Sequence, residues 1–326
     1  MVAYDSIVVE LVRLVDRLPL PPAPPRRGRP VVYPDRLFLK AVVVMVLKRL
    51  PTVHALLAAP AQDTGEMRQL RRLLSEGGRF PARRTWERRL ATLPAPLPAQ
   101  IACLGSYLLA HLAPFAACGR AVAIDSTPLR ASGPPWHQKD RRSGPVPQPN
   151  IDTEAHWTRS GWHGWVYGWK LHLVVTVAGV WLPLRASLTP ANVADNTHAP
   201  QLLAELPPEI RYILGDSQYR DPASRAQVAA TGQVLIAPRR GGTYPRPDPG
   251  APVRQVFHRL RTATIESFNG QFKAIFDGRR PVPTRGLAAT RRWVLGAVFV
   301  YQLTLLLRHE DGLDLRVGLK PFLQAA

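Results

Sequence analysis

Hydrophobic residues in the N-terminal third of the chain recur at every third or fourth position, which is the spacing of an amphipathic helix. The first of these patterns runs from Tyr4 to Leu18 and ends at Pro19. Four further helical segments follow, at 36–50, 65–74, 83–93 and 98–112. Asp35 is placed to cap the first of these four, and a Pro- and Arg-rich linker at 19–30 precedes it. We therefore predict an all-helical N-terminal domain over residues 1–118.

From residue 119 onward the pattern changes to short apolar runs and to strict alternation, both typical of β-strands. Five strands are predicted, at 121–124, 170–177, 182–188, 212–215 and 234–237. Ala178-Gly179 joins the second and third strands as a hairpin, and helices that begin at Thr197 and after Asp221 separate the later strands. This order is the layout of a ribonuclease H-like α/β fold, a mixed five-stranded sheet flanked by helices, which we assign to residues 119–310.

Two carboxylates follow predicted strands directly, Asp125 after the first strand and Asp216 after the fourth. In the ribonuclease H-like layout these two strands lie side by side, so the two acids are expected at the same rim of the sheet. A side chain at the end of a strand reaches a ligand without being sealed in the core. The alternative for Asp125 is a turn residue, because Asp and Ser are common in turns.

A third candidate acid, Glu266, lies on a helical segment that is predicted from about His258 to Phe276. It borders the apolar stripe of this helix, and Lys273 and Arg259 are each seven residues away, so the three share one face. Glu266 is either a surface charge paired with these basic neighbours or a residue that faces the rim of the sheet.

Three carboxylates at one rim repel one another, so a site of this kind requires cations. Hard oxygen ligands without Cys or clustered His select Mg²⁺ or Mn²⁺. Two such ions activate a water or a 3′-hydroxyl and stabilise the leaving oxygen of a phosphodiester. Cys103 and Cys118 are the only cysteines and form no Cys-x-x-Cys pair, so the sequence supports neither a zinc ribbon nor a disulfide framework.

Lys and Arg give the chain of 326 residues a formal net charge of +20. Such an excess favours a polyanionic partner, nucleic acid above all, although a generally basic proteome produces the same composition. A basic loop at 239–255 begins with Arg239 and Arg240, and arginines line the short N-terminal helices, where they either contact DNA phosphates or face solvent. The Trp-rich segment 156–170 either stacks on unpaired bases or closes one end of the sheet.

Five motifs, in their order and spacing, resemble the DDE transposases of bacterial insertion sequences. They are Ala-Ile-Asp125-Ser-Thr, Tyr167-Gly-Trp-Lys170-Leu-His172, Thr189-Pro-Ala-Asn192-Val-Ala-Asp195, Leu214-Gly-Asp216-Ser-Gln-Tyr219 and Ile265-Glu266-x-Phe268 with Lys273. The resemblance implies that Asp125, Asp216 and Glu266 are the catalytic, metal-binding triad of a magnesium-dependent enzyme. It also implies a ribonuclease H-like core, transposon-end and target DNA as partners, and cut-and-paste movement of a DNA element.

The resemblance further implies DNA contacts on the helix of the third acid. The family commonly has an Arg four residues before this Glu, but here that position is Thr262, and Arg261 is one residue off. Arg259, which shares the face of Glu266, is an alternative for the same role. Lys273 fits the downstream Lys of the family, whose implied role is to contact DNA near the transposon end.

Four further polar residues belong to the matching motifs. Lys170 and His172 either reach DNA phosphates or serve the structure. Asn192 and Asp195 are interpreted as turn and helix-cap residues that precede the helix at Thr197.

Two other functions fit the same residues: a metal-dependent endonuclease without strand transfer, and a DNA-binding protein whose catalytic core is dead. We expect a homodimer when the protein is assembled on DNA, with a final helix at 286–308 and a tail at 311–326. The N-terminus lacks the features of a signal peptide, and the apolar run Trp293–Leu307 is shorter than a membrane span. We therefore expect a cytoplasmic, nucleoid-associated protein without a membrane partner.

Overall fold

The computed structural model describes residues 6–21, 32–112, 120–161, 164–177, 179–238 and 250–324. The predicted DNA contacts Arg239 and Arg240 lie outside these ranges, as do Cys118, Ala178 and most of the linker at 19–30. The predicted domain boundary between residues 118 and 119 also lies outside the described ranges, so it stays a prediction.

One mixed sheet of six strands forms the centre of the described part of the chain. Its strands are β1 (Ala121–Arg130), β2 (His156–Ser160), β3 (Gly164–Thr176), β4 (Pro183–Pro190), β5 (Tyr212–Leu214) and β6 (Val234–Ile236). Strand β3 pairs antiparallel with β1 on one side, and with β4 and then β2 along its other side. Strand β5 runs parallel to both β1 and β6. The predicted hairpin of β3 and β4 and the predicted adjacency of β1 and β5 are confirmed.

The pairing of β1 with β5 is short, and this shapes the edge at which the candidate acids lie. It covers Ala121–Ala123 only, whereas the pairing of β1 with β3 continues to Arg130. In the described part of the chain, β1 therefore has no strand partner on its β5 side from Ile124 onward. A long helix, α10 (Ala251–Ile275), packs against β1.

Helices surround the sheet. In the described part of the chain the others are α1 (Ile7–Leu14), α2 (Asp35–Leu47), α3 (Val53–Ala58), α4 (Gly65–Leu73), α5 (Arg83–Thr92), α6 (Leu97–Leu112), α7 (Gln138–Ser143), α8 (Asp195–Leu203), α9 (Pro222–Ala230), α11 (Leu287–Glu310) and α12 (Leu319–Gln324). The periodicity located α4, α5, α6 and α11 to within one or two residues. The short helices α3, α7 and α12 were not predicted, because six residues carry too little periodicity to be recognised.

Three predicted helix starts were wrong. Asp35 is the first residue of α2 and not its cap; Pro34 holds the cap position, and the carboxylate of Asp35 pairs with Arg89 instead. Helix α8 begins at Asp195 and not at Thr197. Helix α10 begins at Ala251, inside the basic, Pro- and Gly-rich stretch 239–255 that is predicted as a loop.

The Trp-rich segment forms a strand pair that the alternation had predicted only in part. Strand β2 pairs with the first residues of β3, which begins at Gly164 and not at Lys170. Trp169 is fully buried, and Trp157 packs between His137 and Tyr167. Trp165 is 65 % exposed. Most of the described rings therefore pack against other parts of the protein, which favours a structural role for them over stacking on bases.

Helix α11 passes through the core and joins the N-terminal helices to the sheet. It packs against α1, α2, α6 and β4, and its side chains from Val294 to Leu307 are buried. The amide nitrogen of Gln302 donates to the carbonyl oxygens of Ile101 on α6 (2.9 Å) and Pro183 on β4 (2.7 Å). One side chain thus satisfies carbonyl groups of two neighbouring elements.

No single described helix is long and apolar enough to cross a membrane by itself. The bent pair of α5 and α6, whose axes differ by 71°, meets the length and composition criteria only when the two are taken together.

Replacing Gly296 with Ala tests the contact between α11 and α2. A Cβ atom at Gly296 would collide with the branched side chain of Val42, and such overpacking costs about 1–3 kcal/mol. Gly270 on α10 is the matched control, because its Cβ position is open and Ala there gains up to about 1 kcal/mol of helix propensity. Urea unfolding should show a loss of stability for Gly296→Ala and none for Gly270→Ala. Equal stabilities would contradict the tight packing.

Candidate active site

Asp125 lies on β1, just beyond the residues that pair with β5. Its Oδ1 accepts the N–H of Ser126 (2.8 Å), and its Oδ2 accepts Nη1 of Arg261 (3.2 Å). Burial raises the pKa of Asp125 to about 6, against the opposing effects of Arg261 and the Ser126 N–H, and the charges of Asp216 and Asp195 add to the rise. Additional positive charge at this carboxylate is therefore favourable.

Asp216 stands at the end of β5, where the chain turns sharply. A Cβ at Gly215 would lie 2.7 Å from Cβ of Tyr219, so the turn needs a glycine there. The carboxylate of Asp216 accepts the N–H of Gln218 (2.8 Å) and caps the short 3₁₀ turn Ser217–Tyr219. Asp216 is close enough to Asp125 for its charge to raise the pKa of that residue, as the adjacency of the two strands predicts.

Tyr219 is a site residue to which sequence reasoning assigned no role. Its ring is fully buried, and its hydroxyl has no hydrogen-bond partner among the described residues. Burial raises its pKa well above the ordinary value, and the charges of Asp195, Asp125 and Asp216 raise it further. The hydroxyl therefore lies near three carboxylates. The spacing Asp-x-x-Tyr after an apolar strand was the available signal.

Glu266 is exposed on α10 and lines a groove of about 680 Å³ between this helix and the end of β1. Thr127, Pro128 and Lys273 line the same groove. Among the described residues, no three His, Cys, Asp or Glu side chains form a group arranged to hold a metal ion. The structure thus brings Asp125 and Asp216 together, and Glu266 does not complete a metal-binding group with them.

Lys273 shares the groove with Glu266, as the seven-residue spacing predicts. Its Nζ donates to the carbonyl oxygen of Pro128 (3.2 Å), and burial lowers its pKa to about 8, with a smaller contribution from the charge of Arg279. Its predicted contact with DNA stays a prediction.

Arg261 and Arg259 have different environments. The Arg261 side chain is 11 % exposed and pairs with Asp125, whereas Arg259 is exposed. Arg261 is four residues before Ile265 and therefore lies on the buried side of α10. The residue that the family pattern placed one position off is thus the one that contacts a candidate catalytic acid.

Asp195 is the second residue whose role the sequence did not reveal. Its interpretation as a helix cap is wrong, because Ala194 holds the cap position and no side chain bonds there. The buried carboxylate of Asp195 instead accepts Oγ of Ser126 (2.8 Å) and Nζ of Lys170 (3.1 Å). Asn192 is exposed in the preceding turn. Only the approach of α8 to the sheet gives Asp195 these partners.

Lys170 and His172 have protein partners. Lys170 also donates to the carbonyl oxygen of Val193 (3.1 Å), and His172 is hydrogen-bonded to Thr189 (2.8 Å). His172 is fully buried, and burial, followed by the charges of His198 and Lys170, lowers its pKa to about 3. The imidazole is therefore neutral at physiological pH and has no exposed surface for a DNA phosphate in this arrangement.

Asp125→Asn is expected to stabilise the metal-free protein. The folded-state pKa of about 6 lies above the ordinary value of 3.8, so ionisation of Asp125 costs stability as the pH rises through this interval. At pH 7 the Asp125→Asn variant should gain about 2–3 kcal/mol in free energy of unfolding, measured by urea in the presence of EDTA. Asp63→Asn, at an exposed acid of the N-terminal region, is the control and should change little. If the Asp125→Asn variant is no more stable than wild type, the ionised carboxylate of Asp125 does not destabilise the folded protein and the prediction is contradicted.

A family model for the transposase DDE domain matches residues 116–303, more than half of the chain. No curated protein sequence and no solved structure matches the chain. The matched region includes all six strands and the acids Asp125, Asp216 and Glu266. The chain therefore belongs to the insertion-sequence transposases that carry a DDE domain.

Proposed function

We propose that this transposase cleaves DNA at the ends of an insertion element and joins the freed ends to target DNA by metal-dependent polynucleotidyl transfer. The observation that carries the proposal is the apposition of Asp125 and Asp216 at neighbouring parallel strands within the matched domain. Five strands in the order β4-β3-β1-β5-β6, in which β4 and β1 run antiparallel to β3 while β5 and β6 run parallel to β1, support a ribonuclease H-like core, to which β2 adds a further antiparallel pairing with β3.

Two of the three proposed metal ligands, Asp125 and Asp216, are placed to bind a hard divalent cation. Asp125 and Asp216 offer carboxylate oxygens, and Mg²⁺ or Mn²⁺ would favour the ionised form of Asp125, whose pKa is raised by burial and by the charges of Asp216 and Asp195. Bound ions would activate the attacking water or 3′-hydroxyl and stabilise the leaving oxygen. We assign the third position to Glu266, which borders the same end of β1.

The residues around the acids would bind and orient the DNA. Lys273, Arg130 and Arg279 line the groove beside β1 and offer cations to the phosphates. Arg259, on the exposed side of α10, and Arg239 and Arg240 are proposed to extend this contact. With DNA as the substrate, we place the protein at the nucleoid and expect two copies to hold the two ends.

A second candidate function is DNA binding without catalysis. The observation that favours it is the exposure of Glu266 outside a three-carboxylate group, while Arg261 contacts Asp125. A nuclease without strand transfer is a third outcome of the same test.

Asp125→Ala, Asp216→Ala and Glu266→Ala should each reduce cleavage by more than about 100-fold, because each removes charge that stabilises the reaction. The assay uses labelled DNA from the flanks of the gene, a target plasmid, and Mg²⁺ or Mn²⁺. Asp221→Asn is the control, because it lies near Asp216 and Asn retains the cap of α9.

The products separate the three functions. Joined product supports the transposase, nicked DNA without joined product indicates the nuclease, and DNA binding without metal-dependent cleavage indicates the dead core. A fully active Glu266→Ala variant would remove Glu266 from the triad.

Lys273 predicts a pH dependence of DNA affinity. Its pKa of about 8 means that its charge is lost as the pH rises from 7 to 9, and the affinity should fall several-fold over this range. Lys273→Arg keeps the charge and should bind equally at both pH values, whereas Lys273→Gln should bind weakly at both. Equal pH profiles for wild type and Lys273→Arg would contradict the contact.

A further inference from the structure

Ser126 connects Asp125 to the buried carboxylate of Asp195. Its N–H donates to Oδ1 of Asp125, and its Oγ donates to Oδ1 of Asp195, both over 2.8 Å. One residue therefore links a proposed metal ligand on β1 to an acid at the start of α8. In the described part of the chain, this stretch of β1 pairs with β3 and has no strand partner on its β5 side, so the link adds a second constraint to the one that β3 provides.

The Asp195 end of the link is held firmly. Asp195 is 5 % exposed and pairs with Lys170 of β3, which is held in turn by the carbonyl oxygen of Val193. His172 lies directly opposite Ser126 in the β1–β3 ladder, and its hydrogen bond to Thr189 of β4 fixes the ring. The acid that accepts the Ser126 hydroxyl is thus held by Lys170 of β3, and the residue opposite Ser126 is held by Thr189 of β4.

Asp195 also acts on Asp125 by charge. The two carboxylates repel each other, and Asp195 contributes to the raised pKa of Asp125. Lys170 balances part of the charge of Asp195. A cation at Asp125 would thus experience the attraction of Asp195 without direct contact.

We propose that Asp195 is a positioning residue that holds Asp125, through Ser126, in the orientation required for a divalent cation. The proposal rests on the proposed function, since it assigns Asp195 to the metal site of that reaction. Outer partners of metal ligands fix ligand orientation, and their loss typically costs about 10–100-fold in metal affinity.

The test measures Mn²⁺ binding to the full chain without DNA, by electron paramagnetic resonance of the free ion. Asp125→Asn defines the binding that depends on the site. Ser126→Ala removes only the hydroxyl link and should weaken binding about 10–100-fold, whereas Ser126→Thr should restore it. Asp195→Asn should weaken binding similarly, and the double variant Ser126→Ala/Asp195→Asn should lose less than the sum of the two effects.

Ser187→Ala is the matched control. Ser126 on β1 and Ser187 on β4 both lie opposite His172 of β3, and we call these three residues and His198 the polar layer. Ser187 is hydrogen-bonded to His198 and is not bonded to Asp125 among the described contacts. It should bind Mn²⁺ as wild type does. Thermal unfolding of each variant reports the folded fraction, so that affinity is compared per folded molecule.

The outcomes separate the two proposals. If Asp125→Asn abolishes Mn²⁺ binding while folded Ser126→Ala binds as tightly as wild type, the positioning role is overturned and the metal site stands. If Asp125→Asn binds Mn²⁺ as wild type does, the metal site and the positioning role are both overturned. If Ser187→Ala weakens binding as much as Ser126→Ala, the effect belongs to the polar layer in general, and the link through Ser126 is overturned.

Discussion

The early end of the pairing between β1 and β5 is the constraint on which the site depends. After Ala123 the two parallel strands separate, and each continues into an aspartate. The separation leaves backbone and side-chain groups of β1 facing α10 instead of another strand. Asp125 is thereby half-buried and close to like charge, and its hydrogen bonds come from Ser126 and Arg261. A longer pairing would place a strand where the groove now lies.

Helix α10 carries Arg261 and Glu266 on two different faces, and the face with Arg261 is the one that meets Asp125. Arg261 and Glu266 are five residues apart, so they point about 140° away from each other around the helix axis. Arg261 lies on the buried side with Ile265 and Phe268, and it supplies the positive charge that Asp125 meets in the metal-free protein. The proposed triad therefore requires α10 to turn or shift before Glu266 faces Asp125. Arg261 would then yield its place to a cation, and the carboxylate would face a divalent charge in place of the single charge of the guanidinium.

The sequence predicted what depends on periodicity and on the order of elements. The order of strand, hairpin, helix and strand predicted that β1 and β5 are neighbours. That adjacency in turn predicted that Asp125 and Asp216 lie close together. The position of Asp195 did not follow, because its partners Ser126 and Lys170 belong to other elements and become neighbours only when α8 packs on the sheet.

The two arginines of α10 show a different limit. Arg259 was considered as an alternative because it is seven residues from Glu266, and two residues at this spacing do share one face of a helix. The side of α10 that faces β1 is set by the large apolar residues, and Arg261 lies nearer to that side. Whether a charged residue on a helix faces the sheet is therefore predicted better by its position relative to the apolar stripe than by its spacing from another charged residue.

The charge distribution gives the proposed reaction an order of events. The chain carries a net charge of +20, yet Asp125, Asp216 and Asp195 concentrate negative charge where a phosphodiester would react. Basic residues at the groove attract the DNA backbone, while the acids repel the phosphate until cations offset them. Under this proposal the protein binds DNA without metal ions, but the scissile phosphate approaches the acids closely only when metal ions are bound. The ion pairs of Arg261 with Asp125 and of Lys170 with Asp195 only partly offset this repulsion, because two cationic side chains face three carboxylates.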